Sequence, residues 1–350
     1  MSSTPWRLAV AAEGIDASGR TIHGDIGLGS LAEHGIEWSP IDVAQQELTA
    51  HTLHGFDAVL LMGESPFGEE QLGGQLGDAQ LGDAPPGEET TIKHVARFGA
   101  GFDQVDLEAC AARGIPVTNA PTGLRVPMAH AALTLLFALA HHLVPKSQLV
   151  RTGHWEQRAG LRGRGLASAT IGVVGLGGIG RETVRLLRGL GLDVIAYNRT
   201  PRPEFCAEQG VEQVELPELL RRSDFAILTV SSNAQTRHLI GRAELEALGA
   251  DGHLINVARG AVVDERALVE ALREGTIAGA ALDVFETEPL PTTSPLLELD
   301  NVLLTPHSLC WTADFTAATA AEVLGEVIAV AEGQEPAHLV NAPRPSGAAA

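Results

Sequence analysis

The chain has 350 residues, 45% of them hydrophobic, and a formal net charge of −20 at pH 7. This length is sufficient for two domains with separate cores, and the acidic balance argues against nucleic acid and anionic membrane surfaces as partners. The three cysteines (Cys110, Cys206 and Cys310) are scattered and odd in number, and no basic-then-apolar leader opens the sequence, so we expect a cytoplasmic protein without disulfides.

Strands and helices alternate along the first third of the chain. Four apolar runs predict buried strands: WRLAVAA (6–12), FDAVLLM (56–62), HVARF (94–98) and IPVTN (115–119). Residues 106–114 predict a helix that stops at Gly114. The run 131–140 predicts a buried helix that is too short to span a bilayer. The acidic, glycine-rich segment between Gly63 and Thr91 predicts surface loops and a poorly specified helix. We assign no role to residues 64–90.

The pattern sharpens at IGVVGLGGIG, residues 171–180. A β-branched run predicts a strand, and Gly175, Gly177 and Gly180 then supply G-x-G-x-x-G. The first glycine allows a tight turn, the second lets the backbone approach a pyrophosphate, and the third lets helix and strand pack closely. The helix that follows favours an anion at its N-terminus. The alternative, on this motif alone, is a tight turn with no ligand.

The rest of the chain continues the alternation. Strands are predicted at VIAYN (194–198), FAILTV (225–230), HLINV (253–257), IAGAALDV (277–284) and NVLLT (301–305). Asp264 is a candidate N-cap for a helix over 265–274 that ends at Gly275. Such alternation predicts an α/β protein with two Rossmann-like or flavodoxin-like, doubly wound domains and parallel sheets. The tail after Ala342 is predicted to be disordered.

The end of the strand after the glycine-rich loop bears on the choice of cofactor. An NAD-selective site usually has Asp or Glu here to bind the ribose 2′-hydroxyl. This chain has Asn198, followed by Arg199, Thr200 and Arg202. Because an arginine fork pairs with a phosphate that a carboxylate would repel, the loop favours NADP(H), with NAD(H) as the second choice. The alternative is that both arginines are solvated loop charges.

Three downstream residues match the needs of 2-keto acid reduction. Arg259, at a strand end, is the candidate to hold the substrate carboxylate and polarise the ketone. His307 is the candidate proton donor, since imidazoles titrate near neutral pH. Glu288 is the candidate that orients the imidazole and stabilises its charged form. The alternatives are a strand-end salt bridge, a helix cap and a turn carboxylate, respectively. No metal is required, and no metal-ligand spacing is present.

The motifs above, in this order, together with ARFGAGFDQVDLEACAARGIPVTNAP (96–121) and NVLLTPHSLCWT (301–312), resemble the D-isomer-specific 2-hydroxyacid dehydrogenase family. The resemblance covers roughly residues 90–335. It implies that Arg259, Glu288 and His307 are catalytic, and that the amides of Ala100 and Gly101 help Arg259 to bind the substrate carboxylate. The segment 198–204 is similar to NADPH-preferring glyoxylate/hydroxypyruvate reductases of that family.

The resemblance also implies a domain plan and a set of cofactor contacts. Residues 1–121 and 312–341 are expected to form a discontinuous substrate domain, and residues 122–311 the dinucleotide-binding domain. Homodimers are expected through the helix around 127–143 and the segment 153–165. The expected cofactor contacts are Gly175, Gly177, Gly178, Ile179, Gly180, Asn198, Arg199, Thr200, Arg202, Val230, Ser231, Ala258, Asp283 and His307, with Asp283 near the nicotinamide.

Departures from the family pattern affect substrate identity more than chemistry. Ala129 stands where members often have Glu, Ser231 where they often have Pro, and Cys310 where glycine is usual. Phe98 and Phe102 are bulky beside the carboxylate-binding loop. Two other functions stay open from the sequence: a dinucleotide-binding transcriptional corepressor of the same fold, and a formate- or phosphite-type dehydrogenase. The intact arginine, glutamate and histidine favour an enzyme over a corepressor. Formate and phosphite rank below glyoxylate, hydroxypyruvate or a related 2-keto acid, because they lack a ketone or a side chain.

Overall fold

The computed structural model describes residues 5–73 and 91–342. The chain forms two compact units: the first unit comprises Met1–Leu124 and Trp311–Ala350, and the second unit comprises Arg125–Cys310. From the sequence, the chain was expected to cross from one domain to the other near Thr122 and again near Trp311. Most of the acidic, glycine-rich stretch and the tail from residue 343 onward, which was predicted to be disordered, lie outside the described residues.

The strands of the described residues are numbered in chain order. They are β1 (Trp6–Ala12), β2 (Arg20–Thr21), β3 (Gly24–Asp25), β4 (Ile36–Asp42), β5 (Ala58–Met62), β6 (His94–Arg97), β7 (Val117–Thr118), β8 (Thr170–Val174), β9 (Asp193–Tyr197), β10 (Glu212–Gln213), β11 (Phe225–Leu228), β12 (His253–Asn256), β13 (Gly279–Leu282) and β14 (Val302–Leu304).

The α-helices are numbered in the same way. They are α1 (Leu107–Ala112), α2 (Arg125–Ala140), α3 (Leu143–Arg151), α4 (Gly178–Gly189), α5 (Pro203–Gln209), α6 (Leu216–Arg222), α7 (Arg242–Leu248), α8 (Glu265–Glu274) and α9 (Ala313–Ala331). Short 3-10 helices cover Leu28–His34, Trp155–Gly160, Leu166–Ser168, Gly260–Val262 and Pro295–Glu298.

The first unit is built on a parallel sheet with the strand order β4-β1-β5-β6-β7. Apart from the β2–β3 hairpin this is the 2-1-3-4-5 order of flavodoxin-like sheets. Strands β5 and β6 are buried at every residue, as expected for parallel strands that are covered on both faces. The sequence analysis missed β4, because it is a half-exposed edge strand that contains Pro40 and so lacks a continuous apolar run.

One expectation for the first unit needs a correction. The stretch between Gly63 and Thr91 was predicted to form surface loops and a poorly specified helix, and its described part, residues 63–73, consists mainly of turns and bends. Phe67 is 1% exposed and Leu72 is 2% exposed, however, and both belong to the core around β5 and β6. Two apolar residues in an otherwise acidic and glycine-rich segment produce no hydrophobic periodicity, yet their side chains anchor the segment to the sheet.

The second unit has seven parallel strands in the order β10-β9-β8-β11-β12-β13-β14. This is the doubly wound Rossmann arrangement, whose direction reverses between β8 and β11. The two parallel sheets confirm the predicted α/β class. Asp264 caps α8 by accepting a hydrogen bond from the Ala267 N–H, and Gly275 ends the helix in the left-handed conformation, as predicted.

Most of the strands of the second unit end earlier than the sequence predicted. Residues 229–230, 257, 283–284 and 305 were assigned to strands but lie beyond the carboxyl ends of β11, β12, β13 and β14. In doubly wound folds ligands bind along this edge. The residues predicted as the last positions of these strands therefore belong to loops at the edge of the sheet where ligands bind.

The hydrophobic segment 131–140 lies in α2, which begins at Arg125. Among the described residues no single helix is both long and apolar enough to cross a bilayer, and α2 with α3 meets that test on length and composition only as a pair bent by 59°.

Candidate active site and dinucleotide-binding loop

The glycine-rich loop connects β8 to α4. Gly175 has φ +107°, and a Cβ there would lie 2.8 Å from the Val230 side chain and 3.0 Å from its backbone nitrogen. A Cβ on Gly180 would lie 1.8 Å from the Gly175 carbonyl oxygen, so only glycine lets the helix pack onto the turn. A Cβ on Gly177 would meet nothing within 4 Å. The three glycines thus provide a tight turn, an open approach and close packing.

The open approach at Gly177 lies at the N-terminal end of α4, of which Gly177 is the N-cap. The first amides of an α-helix, here those of Gly178, Ile179 and Gly180, have no acceptor within the helix. Together with the helix dipole they favour an anion, and the missing side chain at Gly177 leaves space for it. These residues fit the pyrophosphate of a dinucleotide.

The loop after β9 is held in a fixed conformation by Asn198. Its Oδ1 accepts a hydrogen bond from the Leu176 N–H (2.8 Å), and its Nδ2 donates to the Thr200 carbonyl (2.7 Å). Asn198 therefore ties this loop to the glycine-rich loop and places a neutral amide where NAD-selective sites have a carboxylate. Arg199 and Arg202 are exposed, and neither forms a salt bridge within residues 5–73 and 91–342.

The loop after β11 continues the edge of the sheet. The Thr229 hydroxyl donates to the Gly175 carbonyl (2.8 Å), and Val230 closes over the same glycine. The Ser231 carbonyl accepts from the Thr236 hydroxyl (2.7 Å), which folds the next residues into a turn.

His307 and Glu288 form a pair, as their predicted roles require. His307 Nδ1 lies 2.7 Å from Glu288 Oε2, and the Phe285 N–H donates to the other oxygen, Oε1 (2.8 Å). Because Glu288 occupies Nδ1, Nε2 is the nitrogen left for proton transfer. His307 has φ +50°, a left-handed conformation that is uncommon for residues other than glycine.

The environment of Glu288 favours its charged form. Burial alone would raise the pKa of Glu288, but the hydrogen bond and charge of His307, the Phe285 N–H and the charge of Arg259 outweigh it and lower that pKa below the usual value. The carboxylate therefore stays ionised opposite the imidazole at neutral pH.

Arg259 is presented by a short turn after β12. The Asn256 side chain fastens this turn: its Oδ1 accepts from the Ala258 N–H (3.0 Å), and its Nδ2 donates to the Arg259 carbonyl (3.0 Å). A Cβ on the next residue, Gly260, would lie 1.8 Å from the Phe285 carbonyl carbon, so the turn packs directly on the loop that carries Glu288. The sequence analysis missed Asn256, which is 1% exposed; the signal that could have found it is a single polar residue near the end of an apolar strand.

Asp283 follows β13 and is 1% exposed. Its Oδ1 accepts from the Thr305 hydroxyl (2.7 Å) and the Ser308 N–H (3.2 Å), and its Oδ2 accepts from the Leu309 N–H (3.4 Å). Burial raises the pKa of Asp283 even though these donors oppose it. The carboxylate thus anchors the segment on both sides of His307. The expected contact with a nicotinamide stays a prediction.

The second unit therefore brings Arg259, Glu288 and His307 together, with the predicted cofactor residues along the same edge of its sheet. The remaining predicted residues, Ala100 and Gly101, lie in the first unit. The Ala100 carbonyl accepts from Asn119 Nδ2 (2.7 Å), and Gly99 has φ +131°.

The loop of Ala100 and Gly101 leaves its amides available. In the part of the chain that the structure describes, neither amide donates to another protein group. The buried guanidinium of Arg97 stabilises the start of this loop by donating a hydrogen bond to the Phe98 carbonyl (3.0 Å). Sequence reasoning missed Arg97 and Asn119, because neither belongs to a motif with a recognisable spacing.

Comparison with known proteins bears on this geometry. The family model described as "D-isomer specific 2-hydroxyacid dehydrogenase, NAD binding domain" matches residues 133–308. Glyoxylate reductase of Thermococcus litoralis is 41% identical over 256 residues, which are 71% of this chain and 77% of that protein. Glyoxylate reductase of Korarchaeum cryptofilum is 39% identical over 253 residues, or 71% and 76% of the two chains.

A solved structure covers nearly the whole chain. The NADPH-dependent glyoxylate/hydroxypyruvate reductase of Sinorhizobium meliloti, in complex with NADP and malonate, is similar with a TM-score of 0.78 and 33% sequence identity over 97% of both chains.

Proposed function

The chain belongs to the D-isomer specific 2-hydroxyacid dehydrogenase family, and from that premise we propose that it is an NADPH-preferring reductase of glyoxylate, hydroxypyruvate or a closely related small 2-keto acid. It is an NAD(P)-dependent oxidoreductase that transfers a hydride between a nicotinamide dinucleotide and a 2-keto or 2-hydroxy acid. The proposal adds the identity of the substrate, the roles of individual residues and the preferred cofactor.

The observation that carries the proposal is the His307–Glu288 pair beside Arg259. When bound, the reduced nicotinamide supplies the hydride. His307 gives a proton from Nε2 to the oxygen that was the ketone, and the Glu288 carboxylate stabilises the imidazolium before that step. Arg259 holds the substrate carboxylate through its guanidinium fork and draws charge from the ketone oxygen. The amides of Ala100 and Gly101 are proposed as further donors to that carboxylate.

The substrate class is supported by the relatives. The T. litoralis and K. cryptofilum proteins are named glyoxylate reductases, and the S. meliloti protein is named for glyoxylate and hydroxypyruvate.

NADPH preference is supported by the loop after β9. Asn198 is neutral and fixed by two hydrogen bonds, so nothing at that position repels a 2′-phosphate. Arg199 and Arg202 are exposed on the same loop, and no carboxylate of the described residues forms a salt bridge with them. Both guanidinium groups can therefore turn to a phosphate without first breaking an ion pair.

The test is a matrix of substrates and cofactors. Initial rates of nicotinamide oxidation are measured with glyoxylate, hydroxypyruvate, pyruvate and a bulky, branched 2-keto acid, each with NADPH and with NADH. We expect the highest kcat/KM for glyoxylate and hydroxypyruvate, each with NADPH. Formate and phosphite with the oxidised cofactors serve as controls. Oxidation of either control, with no reduction of any 2-keto acid, would refute the proposal.

We further propose that the protein is a cytoplasmic homodimer that associates, as expected from the sequence, through the helix around 127–143 and the segment 153–165, together with α3 between them. Four apolar residues on these elements are more than half exposed: Leu143, Val144, Val150 and Trp155. Light scattering after size exclusion should give a dimer for the wild type and a monomer for Val150→Asp with Trp155→Asp. A monomeric wild type would refute this part of the proposal.

A further inference from the structure

Arg125 is a residue of the second unit that the sequence motifs leave without a role. It is the first residue of α2, and its side chain lies across the first residue of α4. A Cβ built on Gly178 would lie 2.8 Å from Arg125 Nε and 3.3 Å from its Cδ and Cγ. Arg125 therefore occupies the space that a side chain at position 178 would need.

Among the residues that the structure describes, Arg125 has no carboxylate counter-ion. Its Nε is buried and has no hydrogen-bond partner, and no carboxylate within residues 5–73 and 91–342 forms a salt bridge with it. A buried donor on a cation that lacks an acceptor costs free energy, so such a group points to a missing acceptor. An arginine has five N–H donors arranged as a rigid fork, which suits phosphate oxygens.

The position of the side chain indicates which acceptor is missing. Gly178 is the first residue of α4, and next to it Gly177 leaves open space at the helix N-terminus. This is the end of the helix at which doubly wound folds bind a pyrophosphate. Gly178 is not one of the three glycines that G-x-G-x-x-G requires, and it has neither a positive φ nor a backbone clash to explain it. Its absent side chain makes room for Arg125.

We propose that Arg125 binds the diphosphate group of the nicotinamide dinucleotide and that Gly178 is its matched partner. The inference rests on the dinucleotide binding of the family and not on the proposed substrate or cofactor preference. Arg199 and Arg202 would act only on the 2′-phosphate of NADP(H). Arg125, in contrast, acts on the diphosphate that NADP(H), NAD(H) and ADP-ribose share.

The test is direct measurement of binding. Dissociation constants for NADPH, NADH and ADP-ribose are determined by calorimetry for the wild type and for Arg125→Gln, Arg125→Lys and Arg221→Gln. Arg221, exposed at the end of α6, is the control for a lost positive charge in the same unit. We expect Arg125→Gln to weaken all three ligands by about 10- to 150-fold, the range for a charge-assisted hydrogen bond. Arg125→Lys should lose less, and Arg221→Gln should bind normally.

The second arm tests the contact with Gly178. Gly178→Ala places a methyl group against the Arg125 side chain and should displace it, so it should also weaken all three ligands. In the Arg125→Gln background the same substitution should add little, because the interaction is already lost. Unchanged dissociation constants in Arg125→Gln, or fully additive effects of the two substitutions, would overturn the proposal.

The readout separates this inference from the proposed function. ADP-ribose carries no nicotinamide and no 2′-phosphate, so its affinity depends neither on hydride transfer nor on Arg199. The ratio of the NADPH and NADH dissociation constants should stay constant in Arg125→Gln. A change in that ratio, with ADP-ribose binding unaltered, would place Arg125 at the 2′-phosphate and refute the assignment.

Discussion

Cofactor preference should reverse when the loop after β9 is changed at two positions, Asn198→Asp and Arg199→Ile. The carboxylate would keep the oxygen that accepts from the Leu176 N–H, but it would replace the Nδ2 donor that lies 2.7 Å from the Thr200 carbonyl. One intraprotein hydrogen bond is lost, at a cost of about 1 kcal/mol. The loop should therefore stay folded while the formal charge of residues 198–202 falls from +2 to zero.

The magnitude follows from the proposed contact of Arg199 with the 2′-phosphate and from the charge of the new carboxylate. A charge-assisted hydrogen bond contributes roughly 1.5–3 kcal/mol, which corresponds to about 10- to 150-fold in affinity. Because Arg199 is exposed, the lower end of that range applies to its removal. The new carboxylate repels the phosphate and accepts from the 2′-hydroxyl of NADH, which adds a further factor on the order of 10. The ratio of kcat/KM for NADPH over NADH should thus fall about 100-fold.

The assay is the initial rate of glyoxylate reduction with each cofactor, for the double variant, both single variants and the Arg221→Gln control. The preference of the wild type for NADPH should also weaken as salt concentration rises, since both arginines are exposed to solvent. Equal kcat/KM for the two cofactors in the wild type, or a ratio unchanged by the double substitution, would refute the reasoning. Arg199 and Arg202 would then be solvated loop residues.

Three further predictions concern the catalytic residues of the second unit. Glu288→Gln should lower kcat on the order of 100-fold by removing the charge that orients and stabilises His307 during proton transfer. Because the pKa of Glu288 lies below its ordinary 4.5, wild-type reduction should show no loss from protonation of Glu288 above that pH; a loss of activity on the acid side at higher pH, absent from Glu288→Gln, would contradict the pairing. Arg259→Lys keeps the charge but not the fork, so steady-state kinetics should give a raised KM and a lowered kcat; an unchanged kcat/KM would place the carboxylate site elsewhere. Gly260→Ala inserts a methyl group against Phe285, so it should lower both the melting temperature and kcat by displacing the loop of Glu288; normal values of both would show that the turn can shift without cost.

The sequence predicted the alternation of strands and helices in the second unit well, because parallel strands that are buried on both faces are continuous apolar runs with glycine or polar boundaries. The same property misled the prediction of where each strand ends. Val257 and Val284 are as apolar as the strands before them, yet they lie in the loops that present Arg259 and surround Asp283.

Residues that act through long-range packing were not predictable from one sequence. Arg125 and Gly178 are 53 positions apart, and only the packing of α2 against α4 brings them together. Asn119 supports the Ala100 carbonyl from a different strand end, and Phe67 enters the core from an acidic segment. Each of these residues has an ordinary local sequence, so no motif or periodicity distinguishes it.

The central claim is that His307, oriented by Glu288, donates the proton in 2-keto acid reduction. The most direct test is the kcat of glyoxylate reduction by His307→Gln at saturating NADPH, with the NADPH dissociation constant measured on the same sample. We expect kcat to fall by a factor on the order of 10²–10⁴ while the dissociation constant changes little, since the glycine-rich loop and the arginines after β9 are untouched. A kcat close to that of the wild type, with NADPH binding intact, would contradict the account.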